Sequence, residues 1–295
     1  MKTVFLALRG RHFFFDRKGI AKRERTPEER RAHYELEKAL ATRLRESSRE
    51  ERKELYIAVY DEFFRQVPSL AHPQIALKGA GEVEVSQWRF LRRFLRKDTV
   101  FLEIGAGDCL TSLAVARIVK KAYALEVSEE ITKRVHGPEN FELRLFDGSA
   151  IPRFPENAKV IYSNQVMEHI HPDDALEQLA AIYHALDNGG CYICVTPNRL
   201  TGPHDISRRF DPVATGFHLK EYTNTDLSAL FKEVGFTQVK AYVGAEGFYW
   251  RFPLSLLKFL ESILDTFPYK QRRALARFFL FYNIRLVGIK GRKDD

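Results

Sequence analysis

The chain has 295 residues, 45% of them hydrophobic, and a formal net charge of +8. This length provides one large domain with additions, and no apolar run reaches the roughly 18 residues needed to cross a bilayer. Three cysteines predict reduced thiols in a cytoplasmic protein, and arginines in the N-terminal apolar run argue against a secretory signal. Residues 99–245 carry more acidic than basic side chains whereas both flanks are basic, so we expect no nucleic acid at the site itself.

Two helices are predicted ahead of the core. Thr26 with Glu29 and Ser48 with Glu51 form capping-box pairs, which mark the first turns of helices. The second helix carries apolar and aromatic residues at helical spacing, which predict a buried stripe of Tyr56, Val59, Tyr60 and Phe63. This N-terminal helical extension, residues 1–97, could serve as a lid over a site or as the contact in a homodimer.

The core begins with a strand that runs into a glycine-rich turn, VFLEIGAGDC from Val100 to Cys109. Gly105 and Gly107 permit the tight turn and the close approach of a ligand, and the following helix would direct its first N–H groups at that ligand. The acid ahead of the turn, Glu103, would repel a pyrophosphate but attract an ammonium and a sulfonium. The turn therefore favours S-adenosylmethionine over NAD as the ligand.

Three further strands are predicted, each followed by polar residues. The second strand, residues 122–127, carries Glu126 near its end, about 20 residues past the turn, where an acid accepts ribose hydroxyls in open α/β sheets. The third strand spans 141–146 and the fourth spans 159–163. The polar residues that follow these two strands are Asp147, Gly148, Ser149, Asn164 and Gln165. Because ligands bind beyond the carboxyl ends of parallel strands, these residues are predicted to line one site.

Residues from about 98 to 243 resemble a class I S-adenosylmethionine-dependent methyltransferase of the broad group that acts on small molecules. The matching segments are FLEIGAGDC, ALEVS, FDGSAIP, SNQVMEHI, the NGG turn, VTPN and the HLKEYT…GF run. The resemblance implies an α/β, Rossmann-like fold with a seven-stranded, mostly parallel sheet whose last strand is antiparallel. One departure is visible, because the family often has a third glycine where this chain has Cys109.

The resemblance also implies which residues contact the cofactor. Its methionine end would meet Glu103, Gly105 and Gly107, and its ribose would meet Glu126. The adenine would be contacted by the residues after the third strand, Asp147, Gly148 and Ser149. The sulfonium would lie beside the residues after the fourth strand, Asn164 and Gln165.

Methyl transfer is an in-line displacement, so the protein has to align the nucleophile and exclude water, and a hydroxyl nucleophile also benefits from a general base. Histidine suits that role near neutral pH, and His218 and His204 are the catalytic candidates because both lie in loops at the mouth of the predicted site. His169 and Tyr222 are predicted to contact the substrate. Ordinary loop polarity is the alternative explanation for these histidines.

No metal site is predicted. Cys191 and Cys194 form a CxxC, but residues three apart in a strand point to opposite faces and no second pair exists. Asp173 and Asp174 are explained by the dipole of a helix predicted from Pro172 to about Leu186.

Residues 248–282 are predicted as a helical insertion or lid between the core, 98–247, and a last strand with its tail, 283–295. Six apolar residues fall on one helical face, namely Leu256, Leu257, Leu260, Ile263, Leu264 and Phe267. The insertion could cover the sheet, close over a hydrophobic substrate, or contact a membrane surface that presents a lipid-linked substrate. The residues leave these three alternatives open.

Together these patterns predict an enzyme that O-methylates a small molecule, such as a sugar or a glycan- or lipid-linked metabolite, in the cytoplasm or at the membrane periphery. N-methylation stays open. The alternatives are an RNA- or protein-directed methyltransferase that docks through its basic flanks, and a non-catalytic scaffold that binds the cofactor.

Overall fold

The computed structural model describes most of the chain. The described residues are 26–67, 85–148, 151–245, 247–278 and 282–292. One predicted cofactor contact, Ser149, lies outside them.

Two helices precede the sheet, α1 (Pro27–Glu46) and α2 (Arg49–Gln66). Both predicted capping boxes are confirmed, since the side chains of Thr26 and Ser48 each accept the backbone N–H three residues on. The two helices bury a shared apolar cluster that also includes a residue from a distant loop; its members are Leu40, Ala41, Leu44, Tyr56, Val59, Phe63 and Phe217. The hairpin is therefore packed onto the core.

The strands that follow are β1 (Val100–Ile104), β2 (Lys121–Glu126), β3 (Phe141–Leu145), β4 (Ala158–Asn164), β5 (Leu186–Pro197), β6 (Gln238–Ala245), β7 (Phe248–Phe252) and β8 (Asn283–Ile289). They form one sheet in the order β3-β2-β1-β4-β5-β8-β6-β7. The first five strands pair in parallel, while β8 runs antiparallel to both β5 and β6. The predicted parallel core with an antiparallel last strand is confirmed.

The sheet is covered on both faces. Alternate residues of its strands point to opposite clusters, for example Leu102 and Ile161 to one and Phe101 and Val160 to the other. The remaining α-helices are α3 (Val85–Leu91), α4 (Leu110–Ala116), α5 (Glu129–Thr132), α6 (Ala175–Ala185), α7 (Asn224–Glu233), α8 (Leu254–Asp265) and α9 (Tyr269–Phe278). Among the described helices, none combines the length and the apolar character that a membrane span needs.

The eighth strand corrects the prediction of seven. β7 forms from residues predicted to begin the helical insertion, and it pairs antiparallel with β6. Gly244 has a φ of +146°, and a Cβ there would clash with the backbone of Phe248, so only glycine allows this hairpin. Tyr249 is buried while Trp250 is exposed, which is strand alternation. The aromatic run FYWRF was the signal for a strand, and the helical interpretation of 248–282 missed it.

The helix before β5 is shorter than predicted. It spans Ala175–Ala185, and Gly189 and Gly190 lie within β5 instead of ending the helix. The carboxylate of Asp174 is held by Arg52 of α2, at 2.6 and 2.9 Å, and makes no capping bond to the helix. This ion pair is largely buried and joins the N-terminal hairpin to the core, a role that the helix dipole alone does not explain.

Candidate active site

The glycine-rich turn joins β1 to α4 through left-handed backbone. Gly105, Gly107 and Cys109 have φ values of 66°, 55° and 57°. Cys109 thus adopts the conformation that a third glycine would take, and it is buried at the start of α4. A Cβ at Gly105 would clash with Val166, whereas one at Gly107 would meet no atom within 4 Å. The turn therefore packs against the segment after β4 on one side and is open at Gly107.

Glu126 lies against this turn, as predicted. Its carboxylate accepts the N–H groups of Gly107 at 2.7 Å, Val127 at 2.9 Å and Ser128 at 3.2 Å. Burial raises the pKa of Glu126, and these three bonds act in the opposite direction. Because a carboxylate has about four lone-pair sites, one acceptor position remains for a ligand hydroxyl.

Glu103 lies between β1 and α4. Its carboxyl is buried and accepts the hydroxyl of Ser112, in α4, at 2.5 Å. Burial raises the pKa of Glu103 to about 8, so the group is mostly neutral at pH 7 and faces the helix. The carboxyl also ties β1 to α4, and its contact with the methionine end of the cofactor stays a prediction.

Helix α2 lies over the carboxyl ends of β2 and β3. A Cβ at Gly148 would lie 3.5 Å from the ring of Tyr56 and 3.3 Å from Val127. Asp61 of α2 accepts the hydroxyl of Ser128 at 2.6 Å. Asp147 and Gly148, the described part of the predicted adenine contact, are half-buried beneath this helix. Sequence reasoning missed Tyr56 and Asp61 as residues at the site, because nothing local shows where a separate helix docks.

Asn164 and Gln165 open onto a cavity of about 420 Å³ at the end of β4. We call it the amide cavity; its polar lining includes Ser86, Gln87, Tyr162, Asn164, Gln165 and Asn283. Gln165 has a φ of 59° and donates its backbone N–H to Val195. A non-glycine residue in this conformation is uncommon and is often found at functional sites.

A second cavity, of about 360 Å³, lies between the N-terminal hairpin and the loops after β4 and β5. We call it the histidine cavity because His169, His204 and His218 line it together with Tyr60 and Phe217. Three histidines predicted from separate segments of the sequence therefore meet at one place.

His218 and His169 are both fixed by hydrogen bonds from Nδ1. Nδ1 of His218 donates to Glu221 Oε1 at 2.8 Å, and Nδ1 of His169 donates to the carbonyl of Phe217 at 3.0 Å. Burial lowers the pKa of His169 to about 3. For His218 burial also acts downward, but the bond to Glu221 and the charge of Glu168 outweigh it and raise the pKa.

The other two candidates have structural roles. Nε2 of His204 donates to the carbonyl of Asn198 at 3.1 Å, and burial lowers the pKa of His204 to about 4, so a neutral ring holds the loop. The hydroxyl of Thr201 lies 2.9 Å from the same nitrogen. Tyr222 is 0% exposed and lies in the main apolar core, so its predicted contact with the substrate is wrong.

Two acids beside the histidines were missed. Glu168 is 0% exposed, accepts the hydroxyl of Thr196 at 2.8 Å, and has a pKa raised to about 7 by burial. Glu221 holds His218, as described above. The available signals were the adjacency of Glu168 to His169 and the spacing of Glu221 three residues after His218.

The cysteines of the CxxC lie as predicted. Cys194 belongs to the cluster on one face of the sheet, and Cys191 packs against the cluster on the other. Burial raises the pKa of each thiol to about 12, so neither is activated for redox or metal chemistry.

The pKa of Glu103 gives a pH-dependent prediction. Between its unfolded value, near 4.5, and about 8, the folded protein keeps this proton and the unfolded chain loses it, so the free energy of unfolding falls as pH rises. Glu103→Gln keeps an oxygen that accepts the hydroxyl of Ser112, but it has no carboxyl proton to lose, so this pH dependence disappears. We expect the variant to gain stability relative to the parent as pH rises through this window, by at most about 1.4 kcal/mol per pH unit. Urea unfolding at several pH values measures it, and parallel curves would contradict the prediction.

Comparisons with known proteins agree with this geometry. An S-adenosylmethionine-dependent methyltransferase of Thermotoga maritima is 14% identical, with a TM-score of 0.51 over 80% of this chain and 99% of that one. A Haloferax volcanii protein solved with the Trm112 methyltransferase activator is 12% identical, with a TM-score of 0.52 over 79% and 97%. At such identities the likeness establishes the fold.

No curated protein matches the chain by sequence. A family model described as a methyltransferase domain matches residues 80–241, more than half of the chain. The match includes the glycine-rich turn, Glu126, both amide residues and His218. The chain therefore belongs to the methyltransferase-domain family and is a class I S-adenosylmethionine-dependent methyltransferase.

Proposed function

We propose that this enzyme methylates a hydroxyl oxygen of a small molecule bound in the histidine cavity. The observation that carries the proposal is that His169 and His218 line the same cavity. His169 belongs to the short turn that follows Gln165 in the chain. A volume of about 360 Å³ lies within the range of small-molecule sites. The aromatic walls, which include Tyr60 and Phe217, offer ring faces on which a sugar or another flat acceptor can pack.

The residues at the carboxyl edge fit the cofactor. The backbone at Gly107 is open, and Glu126 retains an acceptor position for a ribose hydroxyl. We assign the adenine end to Asp147 and Gly148 and the reacting end to the amide residues that open onto the amide cavity. When bound, S-adenosylmethionine supplies a methyl group already activated on a sulfonium.

The chain's own contribution is alignment and exclusion of water. Helices α1 and α2 cover the histidine cavity, and the ring of Tyr60 stacks on that of Phe217 with centroids 4.9 Å apart. Glu221 fixes the His218 ring, so Nε2 of His218 is the nitrogen that we assign to contact with the acceptor hydroxyl. His204 then shapes the loop without touching the reacting atoms.

The cofactor assignment predicts an effect of Glu126→Gln. The amide keeps one acceptor oxygen but replaces the other with an NH₂ group, which faces a backbone N–H donor and cannot accept. We expect the affinity for S-adenosylhomocysteine to fall by about 1–3 kcal/mol, which is roughly five- to 150-fold. Calorimetric titration measures this, with Glu129→Gln, an exposed acid on the neighbouring helix, as the matched control. Unchanged affinity in a folded Glu126→Gln protein would remove Glu126 from the site.

The acceptor assignment is tested with labelled S-adenosylmethionine and paired hydroxyl and amine acceptors, starting with glycans and lipid-linked sugars. We expect oxygen-linked methyl groups in the product. With the best acceptor, His218→Gln should lower kcat by about 10²–10⁴-fold, while His184→Gln, an exposed histidine on α6, should not. Methyl groups on nitrogen would overturn the O-methylation proposal, and an unchanged kcat in His218→Gln would place the acceptor elsewhere.

We also propose that the outer face of α8 and α9 rests on an anionic membrane surface. Of the six residues on the apolar face predicted for α8, only Leu257 and Leu264 are buried. Two further aromatic side chains are strongly exposed, Phe259 of α8 at 59% and Phe278 of α9 at 74%. Exposed basic residues flank this face, namely Arg251, Lys270 and Arg277.

The acids of α8 do not oppose such a surface. Glu261 is buried against Asn224 and Thr225, and Asp265 is paired with Arg199 and Arg272. The exposed face is therefore apolar and basic, which complements anionic lipid headgroups.

Sedimentation with phosphatidylcholine vesicles, with and without phosphatidylserine, tests this surface. We expect binding that needs phosphatidylserine, weakens with salt, and is lost in Phe259→Ser/Phe278→Ser. Leu176→Ser, a 37%-exposed apolar residue on α6, is the matched control. Absence of vesicle binding, or a dimer that the double substitution dissociates, would contradict the membrane assignment.

A further inference from the structure

We propose that Glu168, His169 and His218 form a binding site for a divalent transition-metal cation beside the histidine cavity. One carboxylate oxygen and one nitrogen from each ring all lie within 4.8 Å of one another. Glu168 and His169 belong to the short turn after β4, and His218 belongs to the loop before α7. The three groups therefore come from two segments that the fold brings together at the carboxyl edge of the sheet.

Both histidines are held in the state that a metal ligand needs. Each ring donates its Nδ1–H, His169 to the carbonyl of Phe217 and His218 to the carboxylate of Glu221. In the neutral form of each ring, this leaves the lone pair on Nε2. Metal-binding histidines almost always donate their other N–H to a carbonyl or a carboxylate in this way, because the bond fixes the tautomer and the ring orientation.

Glu168 provides an independent sign of a missing partner. Its side chain is fully buried, and Oε2 accepts the hydroxyl of Thr196 at 2.8 Å. The other oxygen, Oε1, is buried without a hydrogen-bond partner among the described residues. Buried carboxylate oxygens are nearly always satisfied, so an unpartnered one beside two imidazole nitrogens indicates a place for a cation.

The surrounding charge also favours a cation. Three further buried carboxyl groups lie around the same loop, those of Glu37, Asp205 and Glu221. The nearby guanidinium of Arg45 donates to the backbone carbonyls of residues 215, 216 and 218, so its hydrogen bonds do not satisfy these acids. Bringing a divalent cation into this region lowers the electrostatic cost of several buried acids at once.

The ligand set indicates the class of cation. Two imidazoles and one carboxylate suit Zn²⁺, Fe²⁺, Co²⁺ or Mn²⁺, and they leave coordination positions open. Bonds of about 2.0–2.2 Å would draw the three ligand atoms together by small side-chain rotations. If the proposed function is also right, Nε2 of His218 binds the cation instead of contacting the acceptor directly, and the acceptor hydroxyl takes an open position on the cation, which lowers the pKa of that hydroxyl. Only this last step rests on the proposed function.

The test uses the whole protein after treatment with a chelator. Calorimetric titration with ZnCl₂ and with MnCl₂ should show one equivalent bound in the absence of cofactor and acceptor. Glu168→Gln keeps the bond from Thr196 and should weaken metal binding by at least about 100-fold, as should His218→Ala. His204→Gln, in the same cavity but outside the cluster, should retain the parent affinity for metal. Equal affinities in all three variants, or no binding by the folded parent, would overturn the proposal.

If the variants fail to fold, a spectroscopic measurement on the unsubstituted protein still tests the site. Co²⁺ bound by nitrogen and oxygen should give visible d–d bands without a thiolate charge-transfer band, whereas that band would place the ion on a cysteine and overturn the proposal. Metal binding together with methyl transfer only to amines would sustain this site and refute the proposed O-methylation. No metal binding together with a loss of activity in His218→Gln would refute the site and leave the proposed function standing.

Discussion

The parallel pairing of β1 with both β2 and β4 is the constraint on which the rest of the structure depends. The chain runs from β1 outward to β2 and β3 and then returns across the sheet to β4 and β5. Ligands bind in open α/β sheets at the point where the strand order reverses, because the connections leave β1 and β4 in opposite directions and open a crevice between them. The glycine turn, Gln165 and both cavities all lie along the edge that contains this crevice. Each can act on a cofactor and an acceptor only because the register of these strands brings it there.

The N-terminal hairpin turns that crevice into a covered site. It is attached through buried polar contacts: Arg52 binds Asp174, Glu37 accepts the N–H of Phe217 at 3.0 Å, and Arg45 donates to carbonyls of the same loop. Buried polar groups that satisfy one another fix a unique docking geometry, since any shift leaves several of them unpaired. The hairpin, residues 26–66, precedes the part of the chain that matches the family. The histidine cavity therefore combines residues of the hairpin with residues of the family-matched core, while the glycine-rich turn and Glu126 belong to the core alone.

Burial decides what each acid at the site does. Glu103 and Glu126 follow similar patterns, each near the end of a buried strand, but one faces a serine and the other three backbone N–H groups. The first keeps a proton up to about pH 8, and the second is arranged as an acceptor. Sequence spacing places both acids at the edge of the sheet. The packing of α4 against β1 turns the Glu103 carboxyl toward Ser112, whereas Glu126 faces the glycine-rich turn.

The sequence by itself determined the elements that depend on short-range physics. Capping boxes at Thr26 and Ser48, the glycine turn and the apolar strands were all predictable, because each rests on hydrogen bonds or side-chain alternation within a few residues. The predicted parallel sheet with an antiparallel last strand followed from the resemblance of these motifs to a known family. The hairpin strand at 248–252 was missed because helical periodicity in the residues after it was extended backward.

Only the tertiary structure decided which polar residues meet. His169 and His218 are far apart in sequence and come together because the loop before α7 packs under the N-terminal hairpin, whereas Tyr222, four residues after His218, enters the core. Loop paths are set by burial and long-range hydrogen bonds, which leave no local pattern in the sequence. For the same reason the unpartnered oxygen of Glu168 and the neutral state of Glu103 emerge only once every neighbour is in place.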